Sequence, residues 1–370
     1  MTDTLTKLAY QTFQQGKSYF GVAHKTLSTQ LGQLAVGNRD NETFPVSPEL
    51  VDRIYTRLNQ VIETDWNDAE KGIYPVETLF DNPWADFFQY YPLVWFDLLK
   101  IWDRVRNKQY QSFDATIDLN DYPKYYRQNF HHQTDGYLSD LSANLYDVQV
   151  DILFNGAADA MRRRILAPLK QGLSHFADVP PSQIRVLDVA TGTGRTLRFL
   201  RSLLPKAALF GTDLSPAYLR KANQLLGELP GELPQLCQAN AEDLPYRDDQ
   251  FHGVSCVFTF HELPGSARQN VIDQCFRVLK PGGTFVICDS IQDNDDPKLN
   301  PLLHNFQKTF HEPYHRSYAE DDMTGRLESA GLVEIATQLH FMSKYWWPTS
   351  QPRTNLDGEA GITSASLVNC

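Results

Sequence analysis

Cysteine is scarce and poorly spaced for chemistry: Cys237, Cys256, Cys275, Cys288 and Cys370 make an odd five with no C-x-x-C pair. That pattern argues against a disulfide framework or a thiolate zinc site and fits reduced thiols in a reducing, cytoplasmic setting. Long apolar runs are missing too. The most hydrophobic stretch, Tyr90 to Trp102, is broken by Asp97 and Lys100 and is too short to cross a bilayer, and the first twenty residues hold no apolar region of the secretory type. Basic charge is in deficit, 34 Lys and Arg against 45 Asp and Glu for a net −11, which removes the broad electrostatic footprint of a nucleic-acid-binding protein. The tight basic run Met161-Arg-Arg-Arg164 reads as a solvated helix face.

What is present is an ordinary globular composition, 42% hydrophobic and 21% charged, in a chain of 370 residues that exceeds one compact core. Residues 1–120 are expected to form a helical N-terminal domain that helps enclose an acceptor or serves an interaction. Ser47-Pro48-Glu49 supplies a cap, a proline and an early acid, and Val51, Ile54, Leu58, Val61 and Ile62 follow at helical spacing. From Trp84 to Trp102, eight of nineteen residues are aromatic: either a seam between helices or the lining for a flat apolar molecule. Tyr122 to Arg164 is rich in tyrosine, histidine and amides, which suits a pocket entrance or a solvated loop.

Near residue 180 the pattern changes. Ile184 to Val189, Ala207 to Thr212, Leu236 to Ala239, Gly253 to Phe258 and Thr284 to Cys288 are short apolar strands alternating with helices. Two more, within Leu332 to Trp347, have no long helix between them. The expectation is an α/β fold: a doubly wound, mostly parallel seven-stranded sheet with an antiparallel edge strand. The tail, residues 349–370, is Ser/Thr/Gly/Asn-rich and is expected to be disordered.

Chemistry concentrates at the strand ends. The first strand runs into Asp188-Val-Ala-Thr-Gly192-Thr-Gly194, a glycine turn opening a helix, where backbone can approach a ligand. A dinucleotide fingerprint needs a third glycine at position 197, which is Leu197. Asp188 would repel a pyrophosphate but suits a cationic ammonium or sulfonium. Asp213, nineteen residues past Gly194, can accept from two ribose hydroxyls or cap the next helix. Asn240-Ala-Glu-Asp-Leu-Pro-Tyr246 offers amide and carboxylate groups for an adenine edge, with Ala241 small enough for ring contact.

Together with Phe276-Arg-Val-Leu-Lys-Pro-Gly-Gly283, these motifs resemble a class I S-adenosylmethionine-dependent methyltransferase of the ubiquinone/menaquinone C-methyltransferase-like group, over roughly residues 122–347. The resemblance implies a Rossmann-like domain over 121–348, with 122–140 and 295–320 covering the pocket. It implies S-adenosylmethionine as cofactor and S-adenosylhomocysteine as product. Asp188, Thr191, Gly192, Thr193 and Gly194 would hold the methionine part, and Asp213 the ribose. Leu214 would pack beside the adenine, Asn240, Ala241 and Glu242 would contact it, and Phe258 would lie near the sulfonium. Ala190 replaces the commonest first glycine, and His252 stands where an aspartate is usual, read as a solvent-side change.

His261, in the loop after the fourth strand, is the candidate general base or else holds its loop by hydrogen bonds. Tyr126, His131 and Tyr137, with His311, Tyr314 and His315 downstream, are candidate acceptor contacts. His304, His311 and His315 could share a helix face, but Pro313 interrupts it, and no metal site is expected. The acceptor would be a small, largely apolar or aromatic molecule, quinone- or prenyl-ring-like, with peripheral membrane contact if it is lipophilic. The rivals are a nicotinamide oxidoreductase, which lacks its glycine, a non-catalytic cofactor-binding sensor or assembly protein, and transfer of another group such as aminopropyl.

Overall fold

Six helices precede the first strand in the computed structural model, which describes residues 4–36 and 47–350. They are α1 (Thr4–Val36), α2 (Pro48–Glu70), α3 (Trp84–Asn107), α4 (Asp140–Leu153), α5 (Ala158–Arg163) and α6 (Leu166–Leu173). The α2 start is capped as its sequence requires, the Ser47 side chain accepting from the Leu50 amide at 3.2 Å. Its periodic residues Leu58, Val61 and Ile62 are buried, while Val51 turns outward. The aromatic run on α3 divides. Phe87 and Tyr91 pack on Phe20 of α1, whereas Phe88 and Phe96 are exposed.

The remaining elements are β1 (Arg185–Val189), α7 (Arg195–Leu203), β2 (Ala208–Asp213), α8 (Pro216–Gly227), β3 (Gln235–Gln238), β4 (Phe251–Val257), α9 (Gly265–Val278), β5 (Leu279–Ser290), α10 (Asn300–Phe310), α11 (His315–Ala319), α12 (Met323–Ser329), β6 (Leu332–His340) and β7 (Ser343–Ser350). The strands form one seven-stranded sheet in the order β3-β2-β1-β4-β5-β7-β6. β1 to β5 are mutually parallel, and β7 runs antiparallel to both β5 and β6. The Lys280–Gly283 turn lies inside β5, which pairs Leu279 with Phe251 before a register shift to Thr284 opposite Gly253. Apolar cores fill both faces: Val186, Leu197 and Val286 belong to one, Leu187, Val254 and Ile272 to the other. Among the described residues no helix is long and apolar enough to cross a membrane. The tail expectation lies, from residue 351, outside the described residues, while Thr349 and Ser350 close β7.

Two expectations are corrected. Arg162, Arg163 and Arg164 do not form a solvated face: all three are buried. Arg163 and Arg164 share Asp65 of α2, at 2.6 and 2.9 Å, and Arg164 also reaches Asp68 at 2.5 Å. Arg162 pairs with Asp159 at 3.1 Å and lies 3.7 Å from Asp147. Local acids neutralise Arg162 and long-range ones Arg163 and Arg164, so burial is tolerated. His252 is not on the solvent side either. It is buried edge-on against Phe176, and its Nδ1 accepts the Arg185 amide at 3.0 Å, burial keeping the ring neutral.

Candidate cofactor and acceptor site

The carboxyl ends of the parallel strands open into one cleft, the place where α/β sheets receive ligands. Ala190 and Gly192 come from the turn after β1, Asp213 and Leu214 from the end of β2, and Asn240 and Ala241 from the turn after β3. Phe258, Thr259 and Glu262 follow β4. The opposite wall is aromatic: Tyr125, Tyr126, Phe130, Tyr137 and Tyr146, with Tyr218 of α8. A larger cavity of about 360 Å³ lies between α1, α3 and α4, walled by Phe13, Phe20, Trp84 and Phe87 over Arg162 and Arg195. It holds none of the strand-end motif residues, so the smaller cleft is the candidate site. Of the aromatic run on α3, Trp84 and Phe87 face that other cavity and none lines the cleft.

Local folding explains the geometry. Gly192 adopts φ 57°, and an added Cβ would meet only Tyr218, at 4.0 Å, which leaves the room to a ligand. Gly194, φ 84°, lets α7 approach α8: a Cβ there would lie 3.0 Å from that of Ala222. Ala190 and Phe258, at φ 54° and 57°, are non-glycine residues held left-handed at the ends of two adjacent strands, a costly arrangement typical of functional sites. Phe258 is braced by stacking on Phe154 and by the Arg162 guanidinium 5.6 Å from its ring.

Asp213 accepts from the Gly192 and Ser215 amides, both at 2.8 Å, and burial pushes its carboxyl up to about 6 against those bonds. Asp188 sits differently from its expected place. It is fully buried behind the cleft and accepts from Thr191 Oγ1 at 2.7 Å and Ser255 Oγ at 2.6 Å, with burial pushing it up to about 7. It shapes the loop and is absent from the cleft wall. Thr193 is buried beside Asp147. Glu242 is occupied at the rim, accepting from Tyr125 Oη at 2.6 Å and Asn270 Nδ2 at 2.8 Å, while Asn240 Oδ1 accepts the Glu242 amide at 3.0 Å.

At the far end lies a buried cluster of histidines and acids. His261 Nδ1 is 2.6 Å from Asp289 Oδ1. Burial would lower the His261 pKa, but the Asp289 charge and hydrogen bond outweigh it and push it up to about 9. That shift favours the protonated ring in this state, and the Nδ1 bond to Asp289 also holds the loop. His131 is also held protonated, at about 10, because Glu312 and Glu262 outweigh burial. His315 is held at about 4 by burial and the His261 charge; its Nε2 is 3.1 Å from Ser290 Oγ. Tyr137 donates to Glu262.

Other expected acceptor contacts scatter. Tyr126 and Tyr137 line the cleft and His131 joins the cluster, but His311 stacks on Tyr110 at 4.2 Å, away from it. Tyr314 packs edge-on to Tyr125. His304, His311 and His315 share no face: α10 ends at Phe310, His311 turns left-handed, and His304 pairs with Asp293 at 2.8 Å. Sequence reasoning passed over Glu262 and Asp289. Asp289 carried the signal that marked Asp188 and Asp213, an acid near the end of a parallel strand.

Comparison with known proteins fits this geometry. Residues 186–283 match the family described as a methyltransferase domain. The demethylmenaquinone methyltransferase of Thermotoga maritima is 32% identical over 173 residues, 47% of this chain and 69% of that protein. The chain belongs to the class I S-adenosylmethionine-dependent methyltransferases. The ubiquinone/menaquinone biosynthesis C-methyltransferase of Bartonella quintana is 32% identical over 174 residues, 45% of this chain and 61% of that protein. Human N-acetylserotonin methyltransferase, solved with S-adenosylmethionine, superposes with a TM-score of 0.45 at 11% identity over 68% of this chain and 67% of that one. The cofactor of this methyltransferase is S-adenosylmethionine, and the residues present fit it. The cleft combines an open glycine cradle, an acceptor carboxylate on β2 and an apolar slot at Leu214 and Ala241.

Proposed function

We propose that this methyltransferase acts on a small, largely apolar acceptor of aromatic or quinone-ring type. The observation that carries the reading is the cleft itself, which joins the cradle at Gly192 and Asp213 to a wall of five aromatic side chains from segment 122–146. The relatives named for quinone-ring methylation support the same class. A net charge of −11 disfavours a nucleic-acid acceptor.

S-adenosylmethionine supplies a methyl group already activated by the positive sulfur, so the protein's part is alignment. Asp213 receives the ribose hydroxyls. Leu214, Asn240 and Ala241 hold the adenine, with Glu242 at its rim. The backbone of Ala190, Thr191, Gly192, Thr193 and Gly194 cradles the methionine part, with Asp188 fixing that loop from behind. Phe258 borders the sulfur. Tyr126 and Tyr137 form the acceptor wall, and His261 faces the acceptor's polar group. Residues 1–120 serve as a helical unit for acceptor enclosure or interaction, packed through Asp65, Arg163 and Arg164 on the catalytic domain, 121–348.

The test is methyl transfer from labelled S-adenosylmethionine to a panel of prenylated hydroquinones, simple phenols and polar amines. Label in the ring compounds, with S-adenosylhomocysteine formed, is expected. Label confined to the amines refutes the acceptor class, and no product from any compound points to a cofactor-binding protein without turnover. His261→Ala should slow turnover at least about tenfold while leaving cofactor affinity unchanged. Unaltered turnover removes it from the chemistry.

A further inference from the structure

We propose that His131, Glu262 and Glu312 form a divalent-cation site at the acceptor end of the cleft. The three come from segments far apart in sequence, and their ligand atoms lie within 4.8 Å of one another. His131 Nε2 is 2.9 Å from Glu312 Oε1 and 3.5 Å from Glu262 Oε1. Ligands about 2.1 Å from a shared ion stand about 3.0–3.4 Å apart in octahedral or tetrahedral geometry, so both separations suit a common centre.

A buried ion pair alone does not account for the cluster. Glu312 is 3% exposed, yet neither of its carboxylate oxygens has a hydrogen bond. His131 Nε2 is its nearest polar neighbour at 2.9 Å, and an ion binding there would displace the proton that His131 carries without it. Phe306 and Phe310 flank His131, and the other titratable groups acting on the acid are His261 and His315. Two carboxylates gathered on one imidazole leave negative charge out of water, and a shared divalent cation would neutralise it. The surroundings also resemble the supporting shell of a metal centre. Tyr137 donates to Glu262, and Asp289 orients His261 so that its Nε2 stands 3.9 Å from the same Glu262 oxygen.

Two carboxylates and one imidazole select a first-row divalent ion such as Mn²⁺, Fe²⁺ or Zn²⁺ over soft ions that prefer thiolates. Glu262 lines the cleft, so open coordination positions would face the acceptor. An acceptor with a ring hydroxyl or paired ring oxygens would fill them; this clause rests on the proposed function.

The test uses the full chain stripped with a chelator, then titrated with Mn²⁺ alone by calorimetry and electron paramagnetic resonance. One ion per chain is expected. Glu312→Gln and His131→Ala should each weaken binding at least about tenfold, with the circular dichroism spectrum and S-adenosylmethionine affinity unchanged. Absence of stoichiometric binding by a chain that still binds its cofactor overturns the site. So does wild-type affinity in both variants. Because no acceptor is present, failure of the acceptor reading leaves this result untouched. Adding catechol then isolates the dependent clause: a changed Mn²⁺ spectrum supports an acceptor oxygen as ligand, and an unchanged one removes that clause alone.

Discussion

Asp213 does two things at once, and they pull against each other. Its carboxylate ties down the Gly192 and Ser215 amides, and burial pushes its pKa up to about 6. Ribose hydroxyls donate to the ionised form, so cofactor binding draws on a group that burial has made easier to protonate. Affinity for S-adenosylmethionine should be full above pH 6 and fall by about tenfold per unit below it. Calorimetry from pH 8 to 5 checks this, and Asp213→Asn should flatten the profile. A wild-type affinity unchanged down to pH 5 would remove Asp213 from the ribose contact. The residue was legible because an acid ending a second parallel strand has few other uses there. Asp188 was legible as important, but only the structure shows its two oxygens accepting from Thr191 and Ser255.

Among the elements, α5 shows how a helix can be buried by charge. Asp65 of α2 is wholly buried and accepts from Tyr10 at 2.5 Å and Tyr74 at 2.6 Å besides its two arginines, clamping α1, α2 and α5 together. Burial would raise the Asp65 pKa, but Arg163 and Arg164 outweigh it and hold the acid ionised. Asp65→Asn strips Arg163 of its counter-charge and leaves Arg164 only Asp68, and should cost about 3–5 kcal/mol, read as a lower urea midpoint. A change below about 1 kcal/mol would mean the network is dispensable. The elements themselves were largely readable, since alternating apolar strands and helices declare a parallel sheet whatever lies around them. The burial of Arg163 and Arg164 was not, because their partners Asp65 and Asp68 lie almost a hundred residues upstream. His252 failed for a related reason: the amide it accepts belongs to Arg185, on the neighbouring strand.

In the whole molecule, the division between legible and illegible follows the two ends of one cleft. The cofactor end is written in contiguous runs, Asp188 to Gly194, Asp213 with Leu214 and Asn240 to Tyr246, because each strand end brings its ligands in a short run. The acceptor end is assembled from segment 122–146, the Phe260–Glu262 turn, Asp289 and the stretch around Glu312. No spacing in the sequence announces that gathering, and the fold alone brings His131 to Glu262. The central claim rests on the cofactor end, and one measurement addresses it directly: calorimetric titration of wild type and Asp213→Ala with S-adenosylmethionine, S-adenosylhomocysteine and NAD side by side. Micromolar binding of both adenosyl compounds, none of NAD, and a loss of about 2–4 kcal/mol in the variant are predicted. Equal binding by the variant, or binding of NAD in place of the adenosyl compounds, would contradict the account.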